Sequence, residues 1–112
     1  MNSSPHSPII QRFFDLMEGK DKRLVAEVFS PDAVVTDDGH THRGSAEILS
    51  WLGGDASEYE VTSTWISSRE TGTTTAVTQL LEGNFPGGRV QLVYTFAVNA
   101  AGLIEALSIV AE

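Results

Sequence analysis

Cysteine is absent from the 112 residues, which excludes a disulfide framework and a thiolate nucleophile and leaves the redox compartment unassigned. Basic residues are scarce: 7 Lys and Arg stand against 15 Asp and Glu, for a formal charge of −8. Phosphate-backbone binding depends on clustered Lys and Arg, so no nucleic-acid partner is expected. No apolar run approaches membrane-spanning length, and Met1 to Pro8 is polar with no apolar signal core. The expectation is a cytoplasmic protein with no membrane partner. A Gly-x-Ser-x-Gly elbow is also missing, and the glycine-rich stretch Gly83-Asn84-Phe85-Pro86-Gly87-Gly88 has neither a following helix nor a Lys-Ser/Thr pair. That stretch reads as a hairpin connection and not a phosphate loop.

What is present is ordinary globular material. A hydrophobic content of 41% and a charged content of 20% suit one folded domain, 1–112, long enough for a single core and too short for two. The chain begins with helical signals. Ser7-Pro8 is a helix start, since Ser7 can cap and Pro8 at the first helical position loses only an amide with no partner. Ile9, Ile10, Phe13, Phe14, Leu16 and Met17 then form a broad apolar stripe running toward Gly19. Asp21 can cap a second short helix through Phe29 with Leu24, Val25, Val28 and Phe29 on its buried side, and Ser30-Pro31-Asp32 should end it.

Ala33 to Asp37 reads as a strand that finishes in two adjacent carboxylates. Asp38-Gly39 is a hairpin turn, and Thr41 to Arg43 a short return. A third helix opens at Gly44-Ser45, with Glu47 in its first turn and Ile48, Trp51 and Leu52 as its apolar face, and stops at Gly53-Gly54. Four strands follow: Glu60 to Arg69, Thr73 to Glu82, Arg89 to Val98 and Leu103 to Val110. Their short turns imply an antiparallel meander. In the third of these Val90, Leu92, Tyr94, Phe96 and Val98 share one face, and in the last both faces are largely apolar. Helices can cover one face of such a sheet. A second subunit could cover the other, so a homodimer through the β-sheet is expected.

The order helix, helix, hairpin, helix, meander resembles the nuclear transport factor 2-like superfamily. The resemblance is carried by Ile9-Ile10-Gln11-Arg12-Phe13-Phe14, by Phe29 to Asp37, by Arg43-Gly44-Ser45-Ala46-Glu47-Ile48 and by Asn99 to Gly102 with its flanking strands. It implies an α+β, cystatin-like cone of three N-terminal helices packed on a curved, mostly antiparallel sheet. The superfamily includes steroid Δ-isomerases, SnoaL-like polyketide cyclases and limonene epoxide hydrolases. Against the steroid-isomerase pattern Asp37 falls on the general base, at the end of the first strand and facing into the cone. The two oxyanion-hole positions of that pattern hold Phe13, which cannot donate, and Tyr94, which can. The epoxide-hydrolase pattern needs an acid two residues after an arginine, where Arg89 is followed by Gln91. The SnoaL-like cyclases, similar in size and in the Gly83 to Gly88 hairpin, rely on one acid and leave room for Asp37.

The expected site follows. Asp37 would abstract a proton beside a carbonyl, Tyr94 would orient or polarise the carbonyl, and His42 near the mouth would exchange a proton with Asp37 or its ligand. Phe13, Phe14, Met17, Trp51, Trp65 and Phe96 would supply apolar walls for a small apolar molecule. No cofactor is implied. His40 and His42 share a face but lack the further ligands a metal needs, Asp37 and His6 being the only plausible extras, so no metal is expected. The bland alternatives are that Asp37 caps the turn, that the aromatics fill a core, and that the domain is a non-catalytic carrier or dimeric assembly module.

Overall fold

In the computed structural model, residues 8–17, 22–53 and 60–111 are described. Helix α1 spans Pro8–Met17 and buries Ile10, Phe13 and Phe14, the inner part of the apolar stripe. The proposed cap Ser7, the stop at Gly19, the cap Asp21, Gly54 and His6 lie outside the described residues. The second expected helix is a 3-10 helix, Lys22–Val28, that buries Val25 and Val28. Leu24, expected on its buried side, is exposed, because a tighter helix of three residues per turn stacks Val25 over Val28 and turns Leu24 away.

Strand β1 runs Phe29–Asp37 and so begins before the expected turn at Ser30-Pro31-Asp32. Its pairing with β6 is irregular between Phe29 and Val34, the kind of bulge at which a proline's missing amide leaves no broken ladder bond. Strand β2 is His40–Arg43 and closes the hairpin, with Val35 opposite His42 and Asp37 opposite His40. Asp38 and Gly39 take φ of 54° and 79°, the paired positive values that a two-residue hairpin with the native twist requires. Helix α2, Gly44–Gly53, buries Ile48, Trp51 and Leu52 as its periodicity demands. Its start is fastened by Glu47, whose Oε1 accepts from the Arg43 amide at 2.7 Å.

Strands β3 (Val61–Thr71), β4 (Thr74–Gly83), β5 (Arg89–Val98) and β6 (Ile104–Ala111) form the expected antiparallel meander. The six strands lie in the order β2-β1-β6-β5-β4-β3, with β1 parallel to β6. The last strand thus returns beside the first, and the site-bearing end of β1 is held against the core of the meander. The aromatic cluster of Phe13, Phe14, Phe29, Tyr94 and Phe96 sits where α1 meets the inner face. On the outer face, register rows of small residues run across the sheet: Thr36, Ser108, Thr95 and Ala76, then Val34, Ala106, Ala97 and Thr74, all half-buried. Among the described residues no helix is long and apolar enough to cross a membrane.

Candidate active site

Strand parity sets the site. Ala33 and Val35 are buried, so Asp37, two residues on from Val35, points to the same inner face. Pairing then lines up a row across the concave surface: Asp37 on β1, Ile109 on β6, Tyr94 on β5 and Val77 on β4. Asp37 is half-buried at the end of that row.

The Asp37 carboxylate does not cap the turn beside it. Its Oδ2 accepts from Trp51 Nε1 at 2.9 Å, a bond that joins β1 to α2 across fourteen positions of sequence. Among the described residues, this is the hydrogen bond that engages the Asp37 carboxylate. Asp38 is the exposed turn residue. The two adjacent acids therefore have separate jobs. Trp51 is 3% exposed, so the indole is a buried donor.

Replacing Trp51 by Phe keeps a buried ring and removes the donor. Urea unfolding of Trp51→Phe is expected to show a loss of about 1.5–3 kcal/mol, the range for a hydrogen bond to a charged group. An unchanged midpoint would mean that the bond contributes nothing to holding Asp37.

Tyr94 is 8% exposed and stacks on Phe96 at 6.3 Å and 9°, with Phe14 edge-on at 5.1 Å. Burial pushes its phenol well above the usual tyrosine range, and the nearby Asp37 carboxylate pushes it further. Both effects favour the protonated phenol, which can donate a hydrogen bond.

His42 is half-buried and lies 6.0 Å, ring to ring, from Trp51. Its Nε2 is a buried atom with no hydrogen-bond partner. His40, paired with Asp37, is exposed. Among the described residues no group of three His, Cys, Asp or Glu side chains could hold a metal ion.

The aromatics named from sequence divide into three sets. Phe13 and Phe96 are 0% exposed and 5.3 Å apart, so they form the sealed floor and offer no surface to a ligand. Phe14, Met17 and Trp51 stand beside that floor, Met17 only partly buried. Trp65 lies on edge strand β3 opposite Gln79, 46% exposed, where a bulge between Trp65 and Ser67 shifts the register.

Two inner-face residues escaped the sequence reading. Thr75 and Gln79, 6% and 5% exposed, flank Val77 on β4. The available signal was the alternation Thr75, Val77, Gln79, Leu81, in which polar side chains occupy the face that β propensity assigns to the core.

Residues 10–105 match the SnoaL-like domain family. No curated protein sequence matches the chain. Among solved structures, a Sinorhizobium meliloti protein described as a candidate polyketide cyclase is 31% identical, with a TM-score of 0.86 over 94% of this chain and 95% of that one. A hypothetical protein from Catenulispora acidiphila with a ketosteroid isomerase-like fold, solved with trimethylamine, is 16% identical at TM-score 0.82, covering 96% of this chain and 86% of its own. SalBIII, an epoxide hydrolase/cyclase-like enzyme of pyran ring formation in salinomycin, is 18% identical at TM-score 0.78 over 93% of this chain and 88% of that one.

Proposed function

We propose, from the premise that this chain belongs to the SnoaL-like domain family, that it binds a small apolar carbonyl compound and moves a proton on it, with Asp37 as the base. The carrying observation is the Asp37 carboxylate on the inner face of the sheet, half-buried, with Oδ2 held by Trp51 Nε1 and Tyr94 in the same cross-strand row. Oδ1 takes a proton from the carbon beside the carbonyl, and the electron pair moves onto the carbonyl oxygen. Tyr94, held protonated by its burial, donates a hydrogen bond to that oxygen as charge develops there. Return of the proton to another carbon completes an isomerisation, and attack of the enolate carbon on a second carbonyl closes a ring. An acid and a base suffice for either outcome. His42, 6.0 Å ring to ring from Trp51, is the second group that would exchange a proton with Asp37 or its ligand.

The S. meliloti protein's description as a candidate polyketide cyclase supports the same class of chemistry. The probe for it is 2-tetralone, a flat ketone with acidic α-protons. Deuterium incorporation from D2O, followed by NMR, should run faster with the protein than with buffer of equal carboxylate concentration. A rate equal to the buffer's would sink the catalytic reading.

The second reading, a non-catalytic carrier or assembly module, is favoured by the close-packed floor of Phe13, Phe14, Tyr94 and Phe96. Under it 2-tetralone exchange is not accelerated. Under both readings the outer sheet face, with its rows of Thr, Ser, Ala and Val, receives a second copy of the chain. Sedimentation at micromolar concentration is expected to show a dimer, and a monomer alone would remove that assignment.

A further inference from the structure

We propose that His42 binds a second ligand oxygen through Nε2, so that the substrate is a 1,3-dicarbonyl compound whose acidic carbon lies between two oxygens. This inference rests on the proposed proton-transfer site and deepens it by naming the substrate class.

His42 is directly opposite Val35, so it faces the same side of the hairpin as Val35 and Asp37. Asp37 is opposite His40, which makes His42 its diagonal neighbour, about 7–8 Å away at the backbone and within reach of long side chains. Trp51 closes the corner: its Nε1 donates to Asp37 Oδ2 at 2.9 Å, and its ring lies 6.0 Å from the imidazole at 32°. Among the described residues, His42 Nε2 is the buried side-chain nitrogen or oxygen with no hydrogen-bond partner. His40 differs, because it is exposed and water can satisfy its ring. A polar atom left unpaired and shut away from water is costly, and an apolar side chain would occupy the position without that cost. The nitrogen is thus explained by a polar group that arrives with the substrate. The last torsion of a histidine is broad, so the imidazole can turn toward that group at small cost.

The strand order says where the second oxygen lies. Strand β1 has β2 on one side and β6 on the other, with β5 beyond β6. Asp37 accordingly has His42 to one side and, two strand spacings or about 10 Å away on the other, Tyr94 in its own cross-strand row. A base flanked by two hydrogen-bonding groups matches a carbon flanked by two carbonyls. Asp37 takes a proton from that carbon, and the electron pair of the broken C–H bond spreads over both oxygens. Tyr94 donates to one oxygen, and His42, in the tautomer with hydrogen on Nε2, donates to the other. Return of the proton to carbon or to an oxygen gives the keto or the enol form. A simple ketone leaves Nε2 unpaired, and the site discriminates against it.

The test compares 2-acetyl-1-tetralone with 2-ethyl-1-tetralone, in which a methylene replaces the side-chain carbonyl. Dissociation constants come from NMR titration. Wild type is expected to bind the dicarbonyl probe about five- to tenfold more tightly, the effect of one added hydrogen bond. In His42→Phe, which keeps an aromatic ring and removes both nitrogens, that ratio should fall to about one. His42→Leu serves the same comparison if the phenylalanine variant does not fold. A histidine needed only for packing would shift both constants together and leave their ratio as in wild type. No preference in wild type, a preference that survives the loss of His42, or failure of both probes to bind overturns the inference, while accelerated 2-tetralone exchange keeps the Asp37 reading standing. If 2-tetralone exchange is no faster than in buffer, the Asp37 reading falls and this inference falls with it.

Discussion

Asp37→Asn is expected to slow deuterium incorporation into 2-tetralone by about 10²–10⁴-fold, the range a positioned general base contributes. The substitution is chosen because it separates chemistry from architecture. An asparagine keeps the shape of the side chain, and its carbonyl oxygen can still accept from Trp51 Nε1, which now bonds Oδ2 at 2.9 Å. What it cannot do is take a proton. The urea midpoint should therefore move little while exchange collapses. Asp37→Glu provides the complementary arm: it retains a carboxylate but displaces it by one methylene from the fixed indole, so exchange should fall less far. A decrease of less than about tenfold in the asparagine variant would remove Asp37 from the mechanism, because the remaining rate would then come from groups other than the base.

The reason to expect a large effect lies in the division of labour between two neighbouring acids. Asp38 has positive φ and is exposed, which is the work of the turn. Asp37 is released from that work, and the strand's parity turns it inward. This much was legible from residues alone, because Asp-Gly announces a hairpin and alternation assigns the residue before it to a face. The bond to Trp51 was not legible. Nothing in local pattern connects a strand end with a helix fourteen residues on; the contact depends on how α2 packs on β1, which is tertiary.

The same distinction runs through the fold. The bounds of β5, Arg89 to Val98, were readable because β propensity, period-two alternation and flanking glycines all agree there. The start of β1 was not, since Ser30-Pro31 is locally a turn and becomes strand only through irregular pairing with β6. That parallel pairing joins opposite ends of the chain and leaves no mark in either segment. Trp65 shows the same limit. Its edge position, its bulge and its pairing with Gln79 are tertiary, and with them it is 46% exposed. Gln79 was visible in the sequence and went unread, because a single amide within a good strand pattern does not disturb the pattern.

Phe13→Ala is expected to destabilise the protein by about 3–5 kcal/mol in urea unfolding. Phe13 is 0% exposed and meets four aromatic rings: Phe14 at 5.2 Å, Phe96 at 5.3 Å, Phe29 at 6.0 Å and Tyr94 at 6.3 Å, all edge-on. Each edge-to-face pair adds to the area term, and alanine forfeits both together with the cost of the cavity left behind. Against a total stability of about 5–15 kcal/mol for a typical domain, this is a substantial fraction and could leave the variant partly unfolded. The result also bears on the site. If Phe13 were a loosely packed wall of a ligand cavity, truncation would extend space already present, and the loss would be nearer 1 kcal/mol. A loss in the higher range identifies it as the floor on which Tyr94 and Phe96 are set, so that the donor's placement depends on the packing beneath it. Phe13→Leu, which keeps most of the volume, should then recover much of the stability.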